Sequence, residues 1–204
     1  MDPMTITLII LAVTCVVSFM ALNNGKLMDD LLLWPPAIQR SREYYRLVTY
    51  GLVHADFNHL LFNMITLFFF GRVMEGFYTA MLGPLGFALF YLGALVASIL
   101  PTYLKHRGDA CYRSLGASGA VSAVLFGFIL LAPWSRIIVF VLPMPAIVYA
   151  MLYTTYSIVM DRRGQGRTNH SAHLWGAAYG VAFTLLANPR VWPHFLAALQ
   201  QPRF

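Results

Sequence analysis

Six apolar windows, each close to the length that one helix needs to cross a bilayer, lie between the charged clusters of this 204-residue chain. A spanning helix needs about 20 mainly apolar residues, because the hydrocarbon holds no water to satisfy backbone groups left unpaired. The windows run from Met4 to Leu22, Phe57 to Gly71, Leu82 to Leu104, Leu115 to Ala132, Ile137 to Met160 and Ser171 to Ala187. They predict an all-α membrane protein, a six-transmembrane-helix bundle that forms one domain over 1–204 and leaves no room for a sizeable soluble one. Composition agrees: 59% of the residues are hydrophobic and 11% charged, with a mean hydropathy of +0.65, so the chain cannot cover itself with polar surface. The net charge of +6 raises the possibility of nucleic acid. Yet Lys and Arg gather at helix ends, with no basic stripe interleaved with aromatics, so the expected partner is the lipid bilayer and not nucleic acid.

The first window has Asp2 before it and Asn23 and Asn24 after it. Without a basic leader or a small-residue cleavage site, it is expected to be retained as a helix. Cys15 falls in a window and Cys111 in a polar loop, which gives no reason to expect a disulfide. The longest connection, Asn23 to Asp56, carries Trp34-Pro35-Pro36 and several charges, and is expected to fold at the membrane surface. In the fifth window Pro143 and Pro145 remove backbone donors, which predicts a helix kinked or broken near its outer third. The loops before windows two, four and six hold Lys26, Arg40, Arg42, Arg46, Lys105, Arg107, Arg113, Arg162, Arg163 and Arg167. The other side holds Arg72, Arg136, Arg190 and Arg203, so cytoplasmic enrichment in positive charge would leave the N-terminus outside.

Polar residues within spanning segments are costly and mark function by default. The fourth window opens with Leu115-Gly116-Ala117-Ser118-Gly119-Ala120, one serine among residues with almost no side chain. Ser118, Ser122 and Ala123 also fit plain small-residue helix packing. The sixth window begins His170-Ser171-Ala172-His173 and continues through Gly176 and Gly180, a G-x-x-x-G face. Glycines on one helix and small residues on the other would let the backbones approach until an imidazole meets the Ser118 hydroxyl. A weak nucleophile needs a base within roughly 2.6–3.2 Å. No Asp or Glu is near either residue in sequence, which points to a two-residue unit. His173 is the favoured base because it lies deeper in the apolar run, with His170 as its rival. In the second window His59 and Asn63 are about 40° apart around a helix, one turn above the other. Both can aim donors at one spot, where with the Ser118 N–H they would stabilise an oxyanion. A structural interhelical hydrogen bond is the competing reading of this pair.

Taken together, these motifs resemble the rhomboid family of intramembrane serine proteases. The family's spaced His, His and Asn are similar to His54, His59 and Asn63. Its G-x-S-G motif matches Gly116, Ala117, Ser118 and Gly119, and its A-H-x-x-G-x-x-x-G helix matches Ala172, His173, Gly176 and Gly180. Tyr45-Arg46 resembles its aromatic-Arg step, although tryptophan is more usual there, and Glu75 resembles its second-helix acid. The resemblance implies catalysis by Ser118 and His173 through an acyl-enzyme, and an oxyanion hole of His59, Asn63 and the Ser118 N–H. His54, Gly116, Gly119, Gly176 and His170 would support them. It also implies cleavage of single-pass membrane substrates without cofactor or metal, in a bacterial inner membrane with the site opening to the non-cytoplasmic side, against the charge count. Some members carry an aromatic four residues after the serine to stack on the histidine; here that position is Ser122, so the His173 ring must be oriented by another group, such as His170 or a water. A metalloenzyme is disfavoured because H-E-x-x-H is missing, and a transporter because no repeated halves occur. A catalytically inactive relative that binds membrane helices is the alternative.

Overall fold

The computed structural model describes residues 5–139, 142–164 and 168–202. Met4, which opens the first window, and Arg167 and Arg203 of the charge count lie outside these ranges. The chain is mostly helical, and among the described residues three helices are long and apolar enough to cross a membrane: Thr5–Leu22, Phe57–Leu82 and Gly86–His106.

Helix α1 (Thr5–Leu22) leads into a first connection that folds into three short helices, α2 (Gly25–Leu31), α3 (Pro35–Ser41) and α4 (Arg46–Thr49), followed by a 3-10 turn. Arg46 ties this region together. It is 5% exposed, donates from Nε to Glu43 at 2.6 Å and from one terminal nitrogen to the carbonyls of Asp29 and Leu32. Its guanidinium hydrogen bond holds the Glu43 carboxyl below the usual carboxylate range.

The second spanning rod is longer than the window 57–71 predicts. Helix α5 (Phe57–Thr66) passes through a π turn over Leu67–Gly71 into α6 (Arg72–Leu82), so Arg72 does not end it. Asp56 starts the rod by accepting from the His59 N–H. Glu75, inside α6, accepts the Ile6 and Thr7 N–H groups, each at 2.8 Å. A carboxylate there meets both the free donors and the positive end of the α1 dipole.

Helix α7 (Gly86–His106) starts four residues after the predicted Leu82, past the turn at Gly83, and accommodates Pro101. Helix α8 (Ser118–Leu131) starts three residues after the predicted Leu115, because Gly116 has φ 108° and breaks the run. Of the kink or break expected in the fifth window, the structure shows a break, and the start of the helix moves from Ile137 to Ala146. Arg136–Val139 (β1) and Leu142–Pro145 (β2) pair antiparallel, and only then does α9 (Ala146–Arg163) begin, with extended Pro145 as its N-cap. The two prolines, which lack N–H donors, are tolerated in a two-stranded ribbon where every strand is an edge, and they stop the helix instead of bending it. Helix α10 (His170–Ala187) takes in His170, one residue before its window, capped by Asn169, whose side chain accepts from the Ala172 N–H. Helix α11 (Val191–Leu199) follows.

Helices α8 and α10 form the tightest pair. A Cβ on Gly176 would meet the Gly119 carbonyl, and one on Gly180 the Ala123 carbonyl, so only hydrogen there permits the approach. The Tyr78 hydroxyl bonds the Thr184 hydroxyl at 2.7 Å and joins α6 to α10. Such interhelical bonds contribute about 0.6 kcal/mol each in lipid, so packing supplies more of the association.

Candidate active site

The close approach of α8 and α10 brings two side chains together from residues 55 apart in sequence. His173 Nε2 lies 2.8 Å from Ser118 Oγ, within the reach that a general base requires. Ser118 is the first residue of α8. The amides of a helix's first turn have no partner within the helix and carry the positive end of its dipole, so Ser118 stands at the donor end of α8. His170, the rival base, sits one turn earlier with its ring 5.7 Å from that of His173 and edge-on to it. Its Nδ1 is buried without a hydrogen-bond partner.

The turn before Ser118 is held by His54. Ser18 donates its only hydroxyl proton to the Leu52 carbonyl at 2.7 Å, so it must accept from His54 Nδ1, 2.9 Å away. That fixes the tautomer. Nε2 is then an acceptor, and it receives the Ala117 N–H at 3.3 Å. Desolvation pushes the pKa of this ring, which lies outside the spanning helices, well below the usual histidine value and keeps it neutral. Gly116 N–H donates to the Tyr50 carbonyl at 2.8 Å, so Gly116 and Ala117, the two residues before Ser118, are both anchored to the first connection. The Gly116 conformation needs a residue without Cβ, since one there would run into the His59 ring.

His59 therefore lies over Gly116, beside the Ser118 turn, and its ring stands edge-on to His54 at 4.9 Å. Asn63, 6% exposed, donates from Nδ2 to the His59 carbonyl at 3.0 Å. One of its two amide protons is thus used inside the helix, and the other is left for a ligand. Gly119 gives room to the Ser98 side chain, and Gly176 to the Gly119 backbone.

Sequence reasoning missed Tyr153. Its ring stacks on His173 with centroids 5.8 Å apart and planes at 22°, and its hydroxyl is 2.6 Å from Ser122 Oγ. The His173 ring thus meets an aromatic from α9 on its face and the edge-on His170 ring at 5.7 Å, and neither comes from the position four beyond the serine. The tyrosines 149, 153 and 156, spaced along one face of the fifth window, were the available signal. Among the described residues, no group of three His, Cys, Asp or Glu side chains is placed to hold a metal.

The Rhomboid domain model matches residues 41–190. The chain is 31% identical over 156 residues to RHOMBOID-like protein 12, mitochondrial, of Arabidopsis thaliana, covering 68% of this chain and 45% of that protein. It is 41% identical over 85 residues to the putative rhomboid protease YdcA of Bacillus subtilis, covering 42% and 39%. It is 32% identical over 125 residues to the rhomboid protease GlpG of Haemophilus influenzae, covering 59% of each. In each case the match spans less than two thirds of the relative's length. With the family's motifs gathered at one end of a membrane-helix bundle and its domain model matching most of the chain, this integral membrane protein belongs to the rhomboid family.

Proposed function

We propose that the protein is an intramembrane serine endopeptidase that cleaves transmembrane segments of single-pass substrates. The observation that carries this reading is the 2.8 Å contact between His173 Nε2 and Ser118 Oγ, made where two helix backbones touch. Ser118 Oγ attacks the scissile carbonyl while His173 takes its proton. His173 then returns that proton to the leaving amine, and water hydrolyses the acyl-enzyme by the reverse sequence. Negative charge on the carbonyl oxygen is met by the Ser118 N–H, the His59 ring and the free Asn63 amide proton, donors already fixed before the charge develops.

An intact substrate helix hides its carbonyls in i to i−4 bonds. Suitable substrates therefore carry helix-weakening residues and a small side chain at the cut. Entry is sideways past α9, the least buried wall. The site opens at the end of the bundle opposite the N-terminus, on the non-cytoplasmic side. The charge count is a weak guide here, because the cationic connections are folded: Arg46 is buried in ion-pair and carbonyl contacts, and Arg113 lies over the Trp34 ring at 4.5 Å.

Labelling the detergent-solubilised protein with a fluorophosphonate probe tests the chemistry. Wild type should label, and Ser118→Ala and His173→Ala should not. A folded wild type that fails to label would sink the protease reading and favour a non-cutting binder of membrane helices. Orientation is read separately from Cys111, exposed in the connection between α7 and α8. A membrane-impermeant maleimide added to intact cells should reach it, and protection until lysis would reverse the topology.

A further inference from the structure

We infer that Tyr153 is a positioning residue that couples α9 to the base, so that the dyad is aligned only while α9 is seated. This rests on the reading of Ser118 and His173 as nucleophile and base. Among the described residues, the only hydrogen bond of the His173 ring is to Ser118. One bond at Nε2 fixes its distance from the hydroxyl but not the tilt of the ring. A ring tilted until Ser118 Oγ lies off its plane no longer aims the Nε2 lone pair at the hydroxyl proton. In a three-residue unit a carboxylate removes that freedom through the other ring nitrogen. Here the near-parallel Tyr153 ring, 5.8 Å away at 22°, lies against the face of the imidazole. Its own position is set by Tyr149, stacked on it at 5.4 Å, and by its hydroxyl.

The direction of that hydroxyl bond follows from proton counting. Ser122 donates its single proton to the Ser118 carbonyl at 2.8 Å. It can therefore only accept from Tyr153, whose O–H donates to it at 2.6 Å. The relay runs from Tyr153 through Ser122 to the backbone of the nucleophile itself. Both faces of the dyad are thus registered by one side chain, and that side chain stands on the helix with the fewest buried residues among the longer ones around the site. Outward movement of α9 would withdraw the ring and break the hydroxyl bond in one step. An open wall would then leave the base misaligned until α9 returns.

The test measures the inactivation rate constant and the probe affinity separately for fluorophosphonate labelling, with thermal unfolding in detergent as the folding control. Tyr153→Leu should lower the rate constant by about tenfold or more, at unchanged probe affinity and midpoint, as expected when a general base is present but misdirected. Tyr153→Phe keeps the ring but removes the donor, and Ser122→Ala removes the acceptor together with its bond to the Ser118 carbonyl. Each should slow labelling by about threefold, and the double variant by no more than either alone, because both cut the same relay. Wild-type rates in Tyr153→Leu would overturn the inference, as would multiplying effects in the double variant. The cycle of Tyr153→Phe and Ser122→Ala decides the matter even if Tyr153→Leu fails to fold. Absence of labelling in the folded wild type is a different result, and it strikes the protease reading itself.

Discussion

Helices α8 and α9 are neighbours in sequence and both contribute to the site, yet they are built on opposite principles. In α8, ten of 14 residues are buried, from Gly119 to Leu130. In α9 only Ala146, Ala150 and Ser157 are buried among 18. Helix α8 is therefore locked by backbone contact with α10, through glycines that admit no side chain. Helix α9 meets the bundle through long side chains such as Tyr149 and Tyr153, which can part and re-form at low cost. A nucleophile needs the first kind of support, because misplacement by about 1 Å can cost about a hundredfold in rate. A lateral entrance needs the second. The difference teaches that rigidity here is local: Ser118 sits on the locked helix, and Tyr153, whose ring lies against His173, sits on the loose one.

The largest effect should come from wedging the locked pair apart. Gly176→Val places side-chain carbons on the Gly119 carbonyl, and fluorophosphonate labelling should disappear together with a fall in unfolding temperature. Retained labelling would mean that α8 and α10 are less tightly apposed than described. Next comes immobilising the loose helix. Phe70 of the second rod and Ile147 of α9 pack on the same apolar cluster, so cysteines there, bridged by a bifunctional maleimide, should stop cleavage of a membrane substrate while leaving probe labelling intact. Unchanged cleavage would move the entrance away from α9.

Within the site, Asn63→Ala should reduce kcat by about a hundredfold with KM nearly unchanged, the loss expected when one oxyanion donor is removed. A rise in KM alone would count against that role. The smallest effect is expected on the outer face of α9. Leu152 is 58% exposed, and Leu152→Ala should alter stability by less than about 0.5 kcal/mol, as for other substitutions away from buried contacts. A large loss there, measured by thermal unfolding, would show that α9 packs more tightly than its burial indicates.

Much of the arrangement is legible along the chain because it depends on local spacing. The apolar windows reflect the length a helix needs in lipid, and α1, α8 and α10 keep to them within a few residues. The close pairing of α8 with α10 follows from Gly119, Gly176 and Gly180, where lack of side chain is itself the signal. The 2.8 Å approach of His173 to Ser118 is a consequence of that pairing.

Other features depend on which surfaces meet, and no single stretch of sequence contains them. Pro143 and Pro145 signalled a disturbed helix, but whether it bends or gives way to a hairpin depends on pairing with Arg136–Val139. Glu75 reads as one acid in an apolar rod until its carboxylate is seen against the Ile6 and Thr7 amides, 69 and 68 residues away. His54 reads from the sequence as a support without a stated way of acting, and its bonds to Ser18 and Ala117 make it a brace for the turn. Ser122 seemed to leave the histidine without a stacking partner, and Tyr153 from α9 fills that place. By itself the sequence determined most of the spanning helices, their polar residues and the small-residue faces that pair, because these follow from periodicity and side-chain size. Only the tertiary structure decided which rings lie against His173 and which residues brace the turn before Ser118, because ring stacking and hydrogen bonding depend on positions in space that helices far apart in sequence bring together.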